Sequence, residues 1–237
     1  MLMDTESWRQ LRQGTAAVVP IVIACVPIGL VCGALAAERG LAVSEIGLMS
    51  ATVFAGASQF VAIGMWTTPL PMIAIIFATA MVNLRHVMMS ASLQRSLGRF
   101  SARQRFAAYS VLTDEIWAIA EARAVREPLT PSYYAGLAIP LIFTWVTSTV
   151  AGGAFGRLLG DPSALGLDFV FTALFIGLIV GFRAAPAWLS IVAASAIVAV
   201  IAHHLLPSPW YVIAGGLGGV LVAAAQAPAK RSGIVEA

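Results

Sequence analysis

The chain has 237 residues, of which 59% are hydrophobic and only 11% charged, where soluble domains carry roughly 25% charged residues; an ordinary soluble domain is excluded. A bilayer core about 30 Å thick takes about 20 apolar residues per helical crossing, because each residue rises about 1.5 Å and the backbone must bond to itself in lipid. The net charge of +3 does not point to nucleic acid, since the basic residues cluster between apolar runs, where the bias toward positive cytoplasmic loops accounts for them.

In chain order, a leader over 1–13 precedes one all-α transmembrane domain over 14–226, and a tail follows over 227–237. The apolar stretch 13–37 is too long for a signal-peptide core, and the leader mixes Asp4 and Glu6 with Arg9 and Arg12. Apolar segments at 14–37, 46–66, 70–92, 134–155, 165–182, 188–206 and 210–226 predict a polytopic helix bundle of about seven crossings. An eighth, 106–120, is shorter and holds Asp114 and Glu115 at its centre, which predicts a half-buried or re-entrant segment. Trp66, Trp188, Trp210 and Tyr211 sit near segment ends, at headgroup level, whereas Trp145 does not. Cys25 and Cys32 are seven apart, about 10 Å along a helix, and too far for a disulfide.

Arg95, Arg99, Arg103 and Arg105, followed by Arg123 and Arg126, place the region 93–130 in the cytoplasm. With seven crossings Arg183, Lys230 and Arg231 also lie inside, and Arg9, Arg12 and Arg157 lie outside. If 46–66 instead dips in and out, the N-terminus moves inside and only Arg39 and Arg157 dissent. The charge rule leaves both arrangements open.

A shift of 120 residues lays Pro20 on Pro140, Gly33-Ala34 on Gly153-Ala154, Gly40 on Gly160 and Asn83 on His203. With one residue more, Phe54 and Gly56 fall on Phe175 and Gly177, which makes a candidate internal repeat of the kind transporters use. Small residues four apart at Gly29/Gly33, Gly152/Gly156, Gly177/Gly181 and Gly215/Gly219 mark faces where helix backbones can approach closely, within the chain or between subunits.

Three polar groups interrupt the apolar runs, where a charge costs about 2.5–3.5 kcal/mol or more. In Phe54-Ala55-Gly56-Ala57-Ser58-Gln59-Phe60, small residues permit a helix break while Ser58 and Gln59 offer hydrogen bonds; a packing seam with an interhelical glutamine fits the same pattern. In Asn83-Leu84-Arg85-His86, Arg85 either snorkels toward the basic loop or faces the bundle and holds a carboxylate in its planar fork. In Thr113-Asp114-Glu115, neighbouring carboxylates point about 100° apart on a helix, so both face the bundle only if the backbone breaks or one turns to water. One of them can pair with Arg85, as a structural ion pair or as part of a site.

Asp168, His203 and His204 lie near segment ends and read as interfacial residues. No zinc-ligand spacing and no phosphate-binding glycine loop occurs, so no metal, cofactor or ATPase motor is expected in this chain. Nor is an enzyme, since no serine or cysteine is set beside His86 by any regular spacing.

The motifs FAGASQF at 54–60, NLRH at 83–86 and TDE at 113–115, in this order, together with Pro20, Pro27, Gly29 and Gly33 before Gly40, resemble the AzlC family over nearly the whole chain. The resemblance implies a multi-spanning subunit of the cell inner membrane that works with a small AzlD-like membrane subunit to export branched-chain amino acids, and in some members methionine or toxic analogues. An aliphatic zwitterion needs a cation for its carboxylate, an anion or carbonyl for its ammonium, and an apolar pocket. Ser58, Gln59, Asn83, Arg85, Asp114 and Glu115 are the substrate-binding candidates, and His86, Asp114 and Glu115 the proton-coupling ones for export driven by the proton-motive force. The competing expectation is a scaffold or channel subunit whose buried charges are structural.

Overall fold

The computed structural model describes residues 4–156, 187–206 and 210–226, with positions 169, 173, 176, 177, 179, 180 and 183 between them. Among these residues there are nine α-helices and no strand: α1 Thr5–Glu38, α2 Val43–Thr52, α3 Gly56–Gly64, α4 Met72–Leu93, α5 Ala102–Ser110, α6 Asp114–Ala124, α7 Pro131–Phe155, α8 Trp188–Leu205 and α9 Trp210–Gln226. Four of them, α1, α4, α7 and α8, are long and apolar enough to cross a membrane, and α9 is a shorter apolar helix. Most of the segment 165–182, with Arg157, Gly160, Asp168, Gly181, Pro207, Pro209 and the tail 227–237, lies outside the described residues.

The chain forms two compact units, one of Met1–Pro71 with Val82–Asp168, the other of Met72–Met81 with Phe169–Ala237. In the second unit α8 and α9 run antiparallel: Gly215 packs against Ala199 and Gly219 against Ser195 and Ile191. Ser190 donates to Gln226 Oε1 at 2.8 Å and ties the open end.

In the first unit the spine is α1 against α7. Asp4 caps α1, and its hydrogen bonds with Ser7 hold its carboxyl below the usual value. Thr130 caps α7, with Pro131 in the first turn, where proline is tolerated. A Cβ on Gly14 would overlap the Tyr133 carbonyl, one on Gly29 the Ser148 hydroxyl, one on Gly33 the Thr149 carbonyl, and one on Gly152 the Leu30 carbonyl. Glycine is therefore required for the backbones to come this close. The numbers rise together on both helices, so α1 and α7 run parallel. Their offset runs from 116 at Gly33/Thr149 to 125 at Leu11/Gly136, around the 120-residue shift found in the sequence.

The segment 46–66, expected as one crossing, is instead two short helices of 10 and 9 residues, α2 and α3. At about 1.5 Å per residue neither reaches across a 30 Å core. The break lies at Val53, Phe54 and Ala55, where Val53 (φ −114, ψ 79) and Ala55 (φ −146, ψ 85) leave helical geometry just before Gly56. α2 descends beside α7, with Ile46 at Gly153 and Gly47 at Val150, and Gly56 at the start of α3 faces the Trp145 ring.

The segment around 106–120 is also divided, into α5 and α6, with Val111, Leu112 and Thr113 between them. A capping box starts α5, in which Ser101 and Gln104 exchange side-chain and backbone bonds. Phe100, just before α5, stacks edge-on against Tyr134 at 6.2 Å. Arg123, at the far end of α6, lies 4.7 Å over the Tyr133 ring and donates to Gln10 and Gln13 of α1, 3.2 Å each. The entry of α5 and the exit of α6 thus meet the same end of α7. The core between these helices and α1 is built from Val18, Leu93, Leu97, Leu112, Ile116 and Leu137.

Candidate functional site

Thr113 ends the break by accepting the Ile116 N–H at 3.3 Å, and α6 begins at the next residue. Asp114 and Glu115 therefore occupy the first turn of a helix, where the partial positive charge of the exposed amides favours carboxylates. Asp114 Oδ2 lies 2.7 Å from Arg85 Nη1 of α4. The side chains retain 18% (Arg85) and 32% (Asp114) of their exposure, so the pair is half-buried, with its edge open. Arg85 Nε is buried without a partner, and so is His86 Nδ1. Among the described residues Glu115 makes no ion pair, so the two adjacent carboxylates differ: one is spent on Arg85, the other is not.

On the other hairpin, Ser58 Oγ donates to Asn83 Oδ1 at 2.6 Å. Asn83 and Arg85, two residues apart on α4, point about 200° apart; Asn83 addresses α3 and Arg85 addresses α6. Four of the six candidate binding residues form two pairs on different faces of one helix rather than a single cluster.

Gln59 belongs to neither pair. Its Oε1 accepts from Trp145 Nε1 at 2.7 Å and its Nε2 donates to Ser50 Oγ at 3.2 Å, to which Thr149 Oγ1 also donates at 2.8 Å. Gln59 is 1% exposed, Ser50 and Thr149 0% and Trp145 7%, so this is a dry network joining α2, α3 and α7. Ser50, Trp145 and Thr149 were missed in the sequence; only the position of Trp145, far from either end of its apolar run, set it apart. A second unforeseen bond ties α6 to α4, where Trp117 Nε1 donates to Ser92 Oγ at 2.7 Å. Both cysteines are free, and no group of three metal-ligating side chains occurs among the described residues.

The profile of the AzlC protein family matches residues 20–159, the stretch that carries all three polar motifs. The chain belongs to the AzlC family. It is 30% identical over 216 residues to the inner membrane protein YgaZ of Escherichia coli K12, covering 88% of this chain and 87% of that one. It is 34% identical over 164 residues to an uncharacterized membrane protein of Archaeoglobus fulgidus, 69% of this chain and 68% of the relative. It is 26% identical over 175 residues to the branched-chain amino acid transport protein AzlC of Bacillus subtilis, 73% and 67%. No solved structure matches the chain.

Proposed function

We propose that this AzlC-family protein is the large subunit of an inner-membrane exporter of branched-chain amino acids, acting with a small AzlD-like membrane subunit and driven by the proton-motive force. The observation that carries the reading is the ion pair between Arg85, well inside the long apolar helix α4, and Asp114, at the start of a broken helix. Charge at that depth is costly, and in transporters broken helices at midmembrane are where substrate groups are bound. The name of the Bacillus subtilis relative supports the substrate class.

Two hairpins frame this site. Because α5 and α6 begin and end beside the same end of α7, they enter and leave on the cytoplasmic side, with Thr113-Asp114-Glu115 at the tip. Since α1 and α7 run parallel, an odd number of crossings joins them; α4 supplies one, so α2–α3 returns to the outer side. This orientation puts Arg9, Arg12 and the arginines of 93–130 inside and leaves only Arg39, among the basic residues before Phe155, outside. The in-register contact of α1 with α7 supports repeats related by an axis along the membrane normal rather than inverted ones.

In this mechanism Arg85 takes the substrate carboxylate. An arriving carboxylate competes with Asp114 for the guanidinium, and the displaced acid takes a proton. Glu115, without an ion pair, receives the ammonium, and His86 relays the proton. Ser58 and Asn83 join the outer hairpin to α4, and Gln59 orients that hairpin rather than touching substrate. Efflux of labelled valine, leucine, isoleucine and methionine from cells with and without both subunits tests the reading; equal efflux would leave a scaffold role. Reconstituted transport by this chain alone at the two-subunit rate would refute the partner.

A further inference from the structure

We propose that the face between α5 and α7 binds an anionic phospholipid of the cytoplasmic leaflet, one acyl chain lying in a groove and the phosphate on the arginines at its mouth. The groove has a volume of about 350 Å³ and is walled by Phe100, Ala107, Val111, Ala135, Ile139 and Ile142, among others. Gln104 is its one polar side chain besides Tyr134, whose hydroxyl is spent on the Ala108 carbonyl at 2.8 Å. Along α7 the lining runs from Pro131 to Ile142, twelve residues that rise about 16 Å, which is half of a hydrocarbon core of about 30 Å. A groove one leaflet deep suits a lipid tail, whereas a spanning helix of a partner would need a face twice as long. Ile139 in its lining is exposed, as a lipid-facing surface requires.

Basic residues adjoin two of the lining residues in sequence and supply the attraction for a headgroup. Arg99, Arg103 and Arg105 flank Phe100 and Gln104 in sequence and are exposed, and among the described residues none of the three makes an ion pair. The sequence offers no local counter-charge either, since no Asp or Glu occurs between Glu45 and Asp114. Guanidinium forks are suited to phosphate oxygens, and basic residues at a cytoplasmic interface attract anionic lipids. A lipid seated here would brace α5, and through it the hairpin that carries Asp114. The inference rests on the cytoplasmic orientation of 93–130 but not on any transported substrate.

The test uses the purified full-length protein in nanodiscs of neutral phosphatidylcholine with increasing phosphatidylglycerol, read by retained lipid in native mass spectrometry and by the thermal unfolding midpoint. Wild type should retain phosphatidylglycerol over phosphatidylcholine and unfold at higher temperature as its fraction rises. The triple variant Arg99→Gln, Arg103→Gln, Arg105→Gln should lose that preference by about tenfold or more. Ala107→Trp, which fills the groove from an exposed position and leaves the charges intact, should lower the amount of lipid retained. Equal retention of both lipids by wild type would overturn the proposal, as would wild-type retention in either variant or equal stabilisation by soluble glycerol phosphate, which has a headgroup but no chain. These readouts need no transport, so they fail or succeed independently of the substrate assignment.

Discussion

Trp145 Nε1 donates to Gln59 Oε1 at 2.7 Å in a region from which water is excluded, and this bond fastens a broken helix to the spine of the protein. Beside it, Gly56 at the start of α3 leaves space for the indole, since a Cβ there would come within 3.0 Å of the ring.

Trp145→Phe keeps most of the ring and removes the donor, stranding a buried amide oxygen, at a cost of about 1–3 kcal/mol. The expected result is a lower unfolding midpoint with substrate affinity little changed in whatever protein folds. A Trp145→Phe protein of parental stability would mean that Gln59 finds another donor and that the network does not hold α3.

The glycine seam separates severe from mild substitutions. Gly152→Ala sets a methyl into the Leu30 backbone, which cannot yield, so it should cost about 3 kcal/mol or more and largely abolish folded protein. Gly47→Ala meets only a Val150 methyl at 3.2 Å, which can turn aside, and should be tolerated within about 1 kcal/mol. Equal yields of the two variants in membranes would argue against parallel close packing of α1 and α7.

Much of this was legible in the sequence where charge or small residues interrupt an apolar run. Adjacent Asp114 and Glu115 were expected to face one interior only across a backbone break or with one of them turned to water; a break does occur, at Val111–Thr113, but it precedes both, which share the first turn of α6. Pairing of Arg85 with a carboxylate was one of two readings left open, beside snorkelling toward the basic loop, and which carboxylate it meets depends on the helix start at Asp114, since boundaries are poorly encoded by local pattern. The division of 46–66 was visible only as a cluster of Ala and Gly, because both halves are apolar and hydropathy does not register a kink. Ser50 and Thr149 left no signal, since single hydroxyls are common in apolar helices and bond locally as readily as across. The contact between α1 and α7 was foreshadowed by the 120-residue shift without being implied by it, because a repeat does not say that its two copies touch.

Hairpin topology can be read from labelling with an impermeant thiol reagent in intact cells. Cysteines at Thr5 and Ser101 should stay unlabelled and one at Ser44, exposed in the first turn of α2, should react. Ready labelling at Ser101 would overturn the orientation; labelling at Thr5 together with protection at Ser44 would restore an arrangement in which 46–66 crosses.

The sharpest test falls on Arg85, Asp114 and Glu115. A structural ion pair and a substrate site both tolerate the loss of a charge badly, so stability alone does not separate them. Geometry does. Arg85→Lys preserves the charge and the attraction to Asp114 at 2.7 Å but loses the planar fork, so it should insert and fold while losing most substrate affinity. Asp114→Asn removes the charge that competes for Arg85; Glu115→Gln removes the carboxylate that makes no ion pair and leaves the Arg85–Asp114 contact intact. The expected outcome is that Glu115→Gln folds with near-parental stability and fails in uphill export, and that Asp114→Asn loses the dependence of export on pH. Each is measured as efflux of labelled valine and leucine from loaded cells between about pH 6 and 8. Parental export by all three variants across that range would make the pair a structural brace and overturn the site assignment. Loss by Arg85→Lys alone would keep a carboxylate site but remove the acidic pair from coupling.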